Sequence, residues 1–452
     1  MPHPIIRALK SALGDAVTTH ATALAEAQAD KSGHVSAAPP LAVVNARSID
    51  DVQTTLRLAT ERRVPVVTRG AGTGLAGGAI AGEGEIVLST LRMNRILEIN
   101  VDDELAVVEP GIINSELNDQ LHAHGLWFAP DPASRAISTV GGNIATNAGG
   151  LLCAKYGVTR EAVLGLKVVL ADGRLLTLGH RSVKGVTGLD FTALMIGSEG
   201  MLGVVVEATV RLRRLVEGAV STIGAFFPSV TDAAAASAAI TATGIGPAIM
   251  ELLDAASIKA IGSYLNLDLS SQGTSYLLVQ TDGPASAEQA AIALATITAN
   301  GGTAELTTDP VEGEALLAIR RSFHPAIEAM GTVLIEDVSV PRSQLPAMFA
   351  AIVALEEKYG IRIPTVAHAG DGNLHPNFVF QGDVVPDLIW DAADELFVAA
   401  LALGGTLTGE HGVGLLKKRW LAAELGEAQV DLQRQVKAVF DPLGILNPGK
   451  VF

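Results

Sequence analysis

His368-Ala369-Gly370-Asp371-Gly372-Asn373-Leu374-His375-Pro376-Asn377 brings two imidazoles and a carboxamide into one short segment that reads as a hairpin. Apolar residues precede it (Ile363, Val366, Ala367) and follow it (Phe378, Val379, Phe380). Asp371-Gly372 is a favoured two-residue hairpin turn. That turn predicts pairing of Gly370 with Asn373, Ala369 with Leu374, and His368 with His375. Directly opposed residues have Cβ atoms roughly 5 Å apart on one face. Asn377, two residues on, shares that face. Two imidazoles beside a carboxamide suit Zn²⁺ or a similar ion. Hairpin geometry alone does not distinguish this from two half-buried histidines with no ligand.

The elements that must position these groups belong to a large, well-buried chain. At 452 residues it exceeds one ordinary core, so two domains are expected. A hydrophobic content of 48% with 18% charged residues excludes a disordered chain. The net charge of −16 argues against nucleic-acid or anionic-membrane surfaces, though not against an anionic small substrate. Cys153 is the sole cysteine, which leaves no internal disulfide or iron–sulfur cluster. No apolar run is long enough to span a membrane, and Met1 to Leu13 lacks a signal-peptide core. A soluble, cytoplasmic protein is the default expectation, and peripheral membrane association has no signature.

Residues 1–35 read as an alanine-rich helical leader ending at Lys31-Ser32-Gly33. From residue 36 to 217 short strands dominate: Val43-Val44, Pro65 to Thr68, Glu85 to Leu88, Leu105 to Val108, Val163 to Leu170, Leu175 to Leu178 and Val204 to Leu212. Ser48 is the expected N-cap of a helix between the first two. Residues 218–400 read as a second α+β domain, with strands (Val220 to Phe227, Tyr276 to Gln280) alternating with helices (Val230 to Ala242, Ala285 to Ala299). Residues 401–452 are expected to return to the first domain. The fold class is therefore α+β.

Three glycine-rich segments punctuate the first domain: Arg69-Gly70-Ala71-Gly72-Thr73-Gly74-Leu75, Ser138 to Gly150, and Gly197-Ser198-Glu199-Gly200. Glycine admits positive φ, so successive N–H groups can converge on a phosphate. Gly72, Gly74 and Gly77 fit the G-x-G-x-x-G spacing, but the chain beyond them (Ala79 to Gly84) cannot open a helix, which disfavours a nicotinamide Rossmann domain. Ser138 to Gly150 reads as a second loop, combining backbone donors with Ser, Thr and Asn side chains. Such density favours a large bound nucleotide.

These segments resemble the FAD-binding domain of the vanillyl-alcohol-oxidase and p-cresol-methylhydroxylase flavoproteins. The hairpin, Gly409-Glu410-His411-Gly412-Val413-Gly414 and Asn447-Pro448-Gly449-Lys450 narrow the resemblance to the FAD-linked D-2-hydroxyacid dehydrogenases. That branch includes D-lactate dehydrogenases, D-2-hydroxyglutarate dehydrogenase and the FAD subunit of glycolate oxidase. The implied fold is a two-part FAD-binding domain plus an α+β substrate domain whose sheet is backed by helices. The implied cofactor contacts are Arg69, Gly70, Ala71, Gly72, Thr73, Gly74, Leu75, Pro130, Asp131, Pro132, Thr139, Gly142, Asn143, Thr146, Asn147, Gly149, Glu199, Gly200, Val205 and Asn447. No histidine lies in the first loop, so the FAD would be non-covalent.

By the same resemblance, His368, His375 and Glu410 would bind a divalent metal (Zn or Mn), and His411 would be the catalytic base. Two imidazoles, a carboxylate and an open position are a catalytic type of metal site. Arg320, in a helix read as Glu314 to Met330 ahead of a strand Val333 to Val340, would grip the substrate carboxylate. Arg321 reads as a surface charge, Asn377 as a pocket residue, and His324, one helical turn past Arg320, either as a pocket residue or as the cap of a turn before Pro325. The hydroxyglutarate pattern has a lysine where this chain reads Leu334-Ile335-Glu336, which favours a smaller 2-hydroxyacid such as D-lactate or glycolate. The acceptor would be an electron-transfer protein, a cytochrome, a quinone or oxygen, and a homodimer is compatible. The alternatives are a D-2-hydroxyglutarate dehydrogenase, an FAD sugar-alcohol or aldonolactone oxidase, or the flavin subunit of a larger glycolate oxidase.

Overall fold

A strand whose side chains are all apolar can be buried on both faces, whereas one polar residue in it needs a partner. Both kinds occur in this α+β protein: Leu105–Val108 is apolar and buried, whereas Ile249–Leu253 buries Glu251. The computed structural model describes residues 3–382 and 384–452. These form two compact units: residues 1–149, 157–215 and 410–452 in the first, residues 150–156 and 216–409 in the second.

Unit 1 holds two larger sheets. The first comprises β1 (Val17–Thr18), β2 (Ala42–Asn45), β3 (Val66–Arg69) and β4 (Ile86–Ser89) in the order β1-β2-β4-β3. β4 pairs parallel with β2 and β3. The helix Ile49–Arg62 connects β2 to β3 and is capped by Ser48, whose side chain accepts from Asp51 N. It buries Val52 and Leu56 against Ile86 and Leu88, and the N-terminal Ile5 and Leu9 join that core. The expected helical leader is therefore interrupted: β1 separates the helices Pro4–Leu13 and Ala21–Ala27 and pairs with β2.

The second sheet is antiparallel. It contains β5 (Ile96–Asn100), β6 (Leu105–Val108) and, after the short β7 (Leu126–Trp127), β8 (Val163–Val169), β9 (Leu175–Gly179) and β10 (Val204–Arg211), in the order β5-β6-β10-β8-β9. β11 (Arg213–Arg214) pairs with β7. Val108, Leu117, Ile144, Leu166 and Val210 share this core. Ile144 lies on the helix Val140–Thr146, where the sequence predicts a loop. Glycine's low helix propensity at Gly141-Gly142 is outweighed here by the Thr139 cap on Gly142 N and by burial of Val140 and Ile144.

Unit 2 is built on an eight-stranded sheet. Its strands are β12 (Ser221–Phe227), β13 (Ile249–Leu253), β14 (Ser275–Thr281), β15 (Thr303–Thr307), β16 (Thr332–Ile335), β17 (Val338–Ser339), β18 (Thr365–His368) and β19 (Asn373–Phe380). The order is β15-β12-β14-β13-β18-β19-β16, with β17 also pairing with β19. The strand expected over Val333 to Val340 breaks into β16 and β17 because Glu336 and Asp337 are both buried polar residues. Likewise the helix expected over Glu314 to Met330 is two helices, Pro310–Arg321 and Phe323–Glu328. Leu253, Ile258, Tyr276, Phe323 and Val366 form a core between the sheet and the helices Ala255–Leu265, Pro310–Arg321 and Phe323–Glu328. Asp254 caps the helix Ala255–Leu265 through Ser257 N at 2.8 Å and also accepts from Thr365 N at 2.9 Å, tying that helix to the start of β18.

The hairpin forms with a different register from the one its turn signal suggests. His368 lies opposite Asn373, and Val366 opposite His375. Residues 369–372 form a four-residue loop because they bond outward: Gly370 N donates to Met250 O and Gly372 O accepts from Val340 N. Each strand slips by one residue, so the pairing changes by two and both histidines keep the same face. Gly372 is required here. Its φ is +90° and a Cβ would lie 2.1 Å from Val340 O. Gly372→Ala is expected to lower stability by roughly 1–3 kcal/mol, seen as a lower thermal midpoint; an unchanged midpoint would contradict this loop geometry.

Candidate active site

The hairpin places the His368 and His375 rings 5.2 Å apart between centroids, at 83°. One ring nitrogen of each lies within 4.8 Å of the other. Both side chains are buried, and each has a carboxylate behind it. His368 Nδ1 is 2.6 Å from Glu251 Oε1. His375 Nδ1 is 3.8 Å from Asp337 Oδ1, a Coulombic distance and not a hydrogen bond. Glu251 reaches His368 because β13 and β18 pair directly at these two residues. A charged carboxylate accepts, so the proton belongs on His368 Nδ1 and the Nε2 lone pair is left to bind a cation.

Glu251 carries a second partner. Arg320 Nε donates to its Oε2 at 2.6 Å, and Arg320 is itself buried. Burial penalises the Glu251 charge, but His368 and Arg320 more than offset this and hold the carboxyl below its ordinary value. Arg321, by contrast, is exposed and pairs with Glu314. His324 is half-buried within the helix Phe323–Glu328, against the Phe323 ring.

Asp337 is completely buried and held from two sides. Asn373 Nδ2 donates to its Oδ1 and Thr408 Oγ1 to its Oδ2, each at 2.6 Å. Asn377 Nδ2 donates to the His375 carbonyl at 2.7 Å, while its Oδ1 is buried with no hydrogen-bond partner among the described residues. Gly409 packs on Asn373 so closely that a Cβ would lie 2.2 Å from its Nδ2. Glu410 and His411 follow directly in the chain and are half-buried in unit 1. There the Glu410 carboxylate lies against Gly149, where a Cβ would sit 2.5 Å from Oε2.

The glycine segments of unit 1 pack on one another. A Cβ at Gly70 would lie 2.4 Å from Thr139 Oγ1, so the first loop rests on the cap of the helix Val140–Thr146. Arg69, expected among the cofactor contacts, braces that loop: Nη1 donates to Ala79 O and Nη2 to Glu26 O. Asn143 accepts from Asn114 Nδ2 and donates to Ser138 Oγ, and the same Asn114 amide reaches Pro130 O. Asn147 ends the helix at φ +52° and its Oδ1 accepts from Arg160 N.

Glu199, at φ +49°, accepts from Val413 N (2.8 Å) and Gly414 N (2.9 Å), and so fixes the segment just after Glu410-His411. The Glu199 carbonyl and Gly78 O both accept from Asn447 Nδ2. Thr68 Oγ1 and Asn447 Oδ1 are buried oxygens with no partner among the described residues, and Gly200 approaches Thr68 closely. Orphaned polar atoms beside glycine-built loops are what a large polar cofactor would satisfy. The residues present therefore fit FAD, and the paired imidazoles with carboxylates behind them fit a divalent cation.

The sequence reading did not find Glu251, Asp337, Asn373 or Asn114. Glu251 carries one signal, a lone carboxylate within an apolar strand pattern. The charge is tolerated there only with partners.

Residues 217–451 match the family described as FAD linked oxidases, C-terminal domain, and residues 40–179 match the FAD binding domain family. Glycolate oxidase subunit GlcD of Bacillus subtilis is 41% identical, covering 91% of this chain and 89% of that protein. D-lactate dehydrogenase of Archaeoglobus fulgidus is 35% identical, covering 92% of each. The structure of p-cresol methylhydroxylase with substrate bound superposes with a TM-score of 0.78 at 17% identity, over 99% of this chain and 96% of that one. That likeness gives the fold, the vanillyl-alcohol-oxidase type.

Burial pushes the Glu199 carboxyl up to about 7, partly offset by the Val413 and Gly414 N–H groups and by Lys417. Its folded value lies above the unfolded one, so between them the folded chain holds a proton that the unfolded chain has released. Stability from this group is full below about pH 4 and falls as pH rises through about 7, by roughly 3 kcal/mol. Glu199→Gln is expected to lose that component, giving a flatter dependence in denaturant unfolding from pH 4.5 to 8; an unaltered profile would contradict the assignment.

Proposed function

This chain belongs to the FAD-linked oxidase family, and we propose that it oxidises a small D-2-hydroxyacid, of lactate or glycolate size, to the 2-oxoacid. It is an FAD-linked oxidoreductase. The observation that carries it is the buried trio of His368, Glu251 and Arg320. One carboxylate holds a candidate metal ligand beside a guanidinium suited to a substrate carboxylate.

Bound FAD supplies an acceptor for the α-hydrogen and its electron pair at N5, and a divalent cation, Zn or Mn, supplies a Lewis acid for the substrate hydroxyl. His368 and His375 would hold the cation, with Glu410 the carboxylate ligand that the family resemblance implies. Arg320 binds the substrate carboxylate, and Asn377 Oδ1, buried without a partner among the described residues, orients the polar substrate from the hairpin. His324 stands one turn beyond Arg320 and borders the pocket. His411 takes the hydroxyl proton. Thr68, Gly200, Asn447, the Gly70 to Gly74 loop and Thr139 would hold the FAD. Residues 69–82 contain no histidine, so the FAD is held non-covalently.

Leu334-Ile335-Glu336 offers no lysine for a second substrate carboxylate, which keeps the proposal to monocarboxylates. With a single cysteine the chain has no iron–sulfur cluster of its own, and electrons leave to an external acceptor. The name of the Bacillus subtilis relative includes "subunit", which favours a second form of the reading, a flavin subunit that needs partners to pass its electrons on.

Under anaerobic conditions D-lactate or glycolate is expected to bleach the flavin, L-lactate not, and prior metal removal by a chelator is expected to abolish the bleaching. Indifference to the chelator would refute the cation's role, and no response to any 2-hydroxyacid would refute the substrate class. His411→Ala is expected to slow flavin reduction by roughly 10²–10⁴-fold with FAD still bound; ordinary turnover would remove His411 from the mechanism.

A further inference from the structure

We propose that Glu251 is a positioning residue that sets, with one carboxylate, which nitrogen of His368 faces the cation and which edge of Arg320 faces the substrate. The proposal rests on the functional reading above and adds a residue to it. β13 reads Ile249-Met250-Glu251-Leu252-Leu253 and is buried throughout. A carboxylate in such a strand is costly unless it is paired and hydrogen-bonded. Glu251 has two charge-assisted partners, one per oxygen: Oε1 to His368 Nδ1 and Oε2 to Arg320 Nε, both at 2.6 Å.

Each contact removes a choice. With Nδ1 engaged, His368 presents only Nε2 to a ligand. With Nε engaged, Arg320 cannot receive a carboxylate by its Nε edge, and its Nη1 and Nη2 groups make no hydrogen bond among the described residues. The substrate carboxylate is thus received end-on, by the two amino groups together. Because β13 and β18 pair in register at Glu251 and His368, the sheet itself sets the spacing of these groups.

A neutral isostere separates this role from simple packing. Glutamine at 251 has one acceptor and one donor end, so it can satisfy Arg320 Nε or the Nδ1–H of His368, not both. If its oxygen stays with Arg320, its amide donates to Nδ1 and the His368 proton shifts to Nε2, the ligand position. If it turns, it loses Arg320.

The test compares wild type with Glu251→Gln, both purified with FAD, by equilibrium Zn²⁺ and Mn²⁺ binding, flavin content, and KM and kcat for the hydroxyacid. The expected result is a 10–100-fold loss of metal affinity, a rise in KM of at least about tenfold, and unchanged flavin content. Metal affinity and KM both as in wild type would overturn the proposal. A shift in only one of them would overturn the coupling it asserts. Wild type that binds no metal would overturn the ligand reading and this proposal with it, an outcome distinct from a metal-binding wild type whose variant is unaltered. Should Glu251→Gln not accumulate, Glu251→Asp, which keeps the charge but is one methylene too short to reach both partners, is expected to show the same two shifts, and its wild-type behaviour would overturn the proposal.

Discussion

Two fully buried carboxylates stand behind two buried imidazoles, and the architecture of unit 2 follows from keeping them satisfied. Neither Glu251 nor Asp337 has access to water, so each has to be met by charged or hydrogen-bonding partners at close range. For Glu251 these are His368 and Arg320; for Asp337 they are Asn373 and Thr408, with His375 farther away. The partners come from strands, a helix and a loop far apart in the chain. The alignment of β13 with β18, the break between β16 and β17, and the four-residue loop of the hairpin all serve this arrangement. Removing one member of such a group leaves its partner buried and uncompensated, which is a larger loss than the pair contributes net.

Unit 1 meets its polar demands differently. Its glycine segments approach one another and the helix cap at Thr139 where any side chain would collide, and the side chains of Asn114 and Glu199 hold backbone groups of Pro130, Val413 and Gly414. Glu199 belongs to the third glycine segment yet holds the chain immediately after Glu410-His411. Asn447 returns from the far end of the sequence to the same place. The loop bearing the proposed base is thus anchored within the flavin-binding unit by the Glu199 side chain, whose own carbonyl is held by Asn447; both residues have positive φ.

Much of the fold was legible because its strands are short apolar runs between glycine and polar breaks. The helix Val230–Ala242 and the strand Leu105–Val108 lie where the residue pattern puts them. The shared face of His368 and His375 was legible too, since a hairpin's period-two alternation survives a slip of one residue on each strand. The loop length was not, because Asp371-Gly372 signals a tight turn while the long-range bonds of Gly370 and Gly372 open it. The helix at Gly141-Gly142 was hidden by propensities that burial overrides. Glu251 was hidden because its partners are 69 and 117 residues away, and no local pattern marks a carboxylate whose role is to meet them.

In the proposed function His368 and His375 hold a metal within an FAD enzyme. The most direct measurement is the metal and flavin content of the purified protein, by elemental analysis and absorbance, for wild type, His368→Ala and His375→Ala. The account predicts about one divalent cation per chain in wild type, and loss of that cation with flavin retained in each variant. A catalytically active wild type without bound metal, or variants that keep it, would contradict the account.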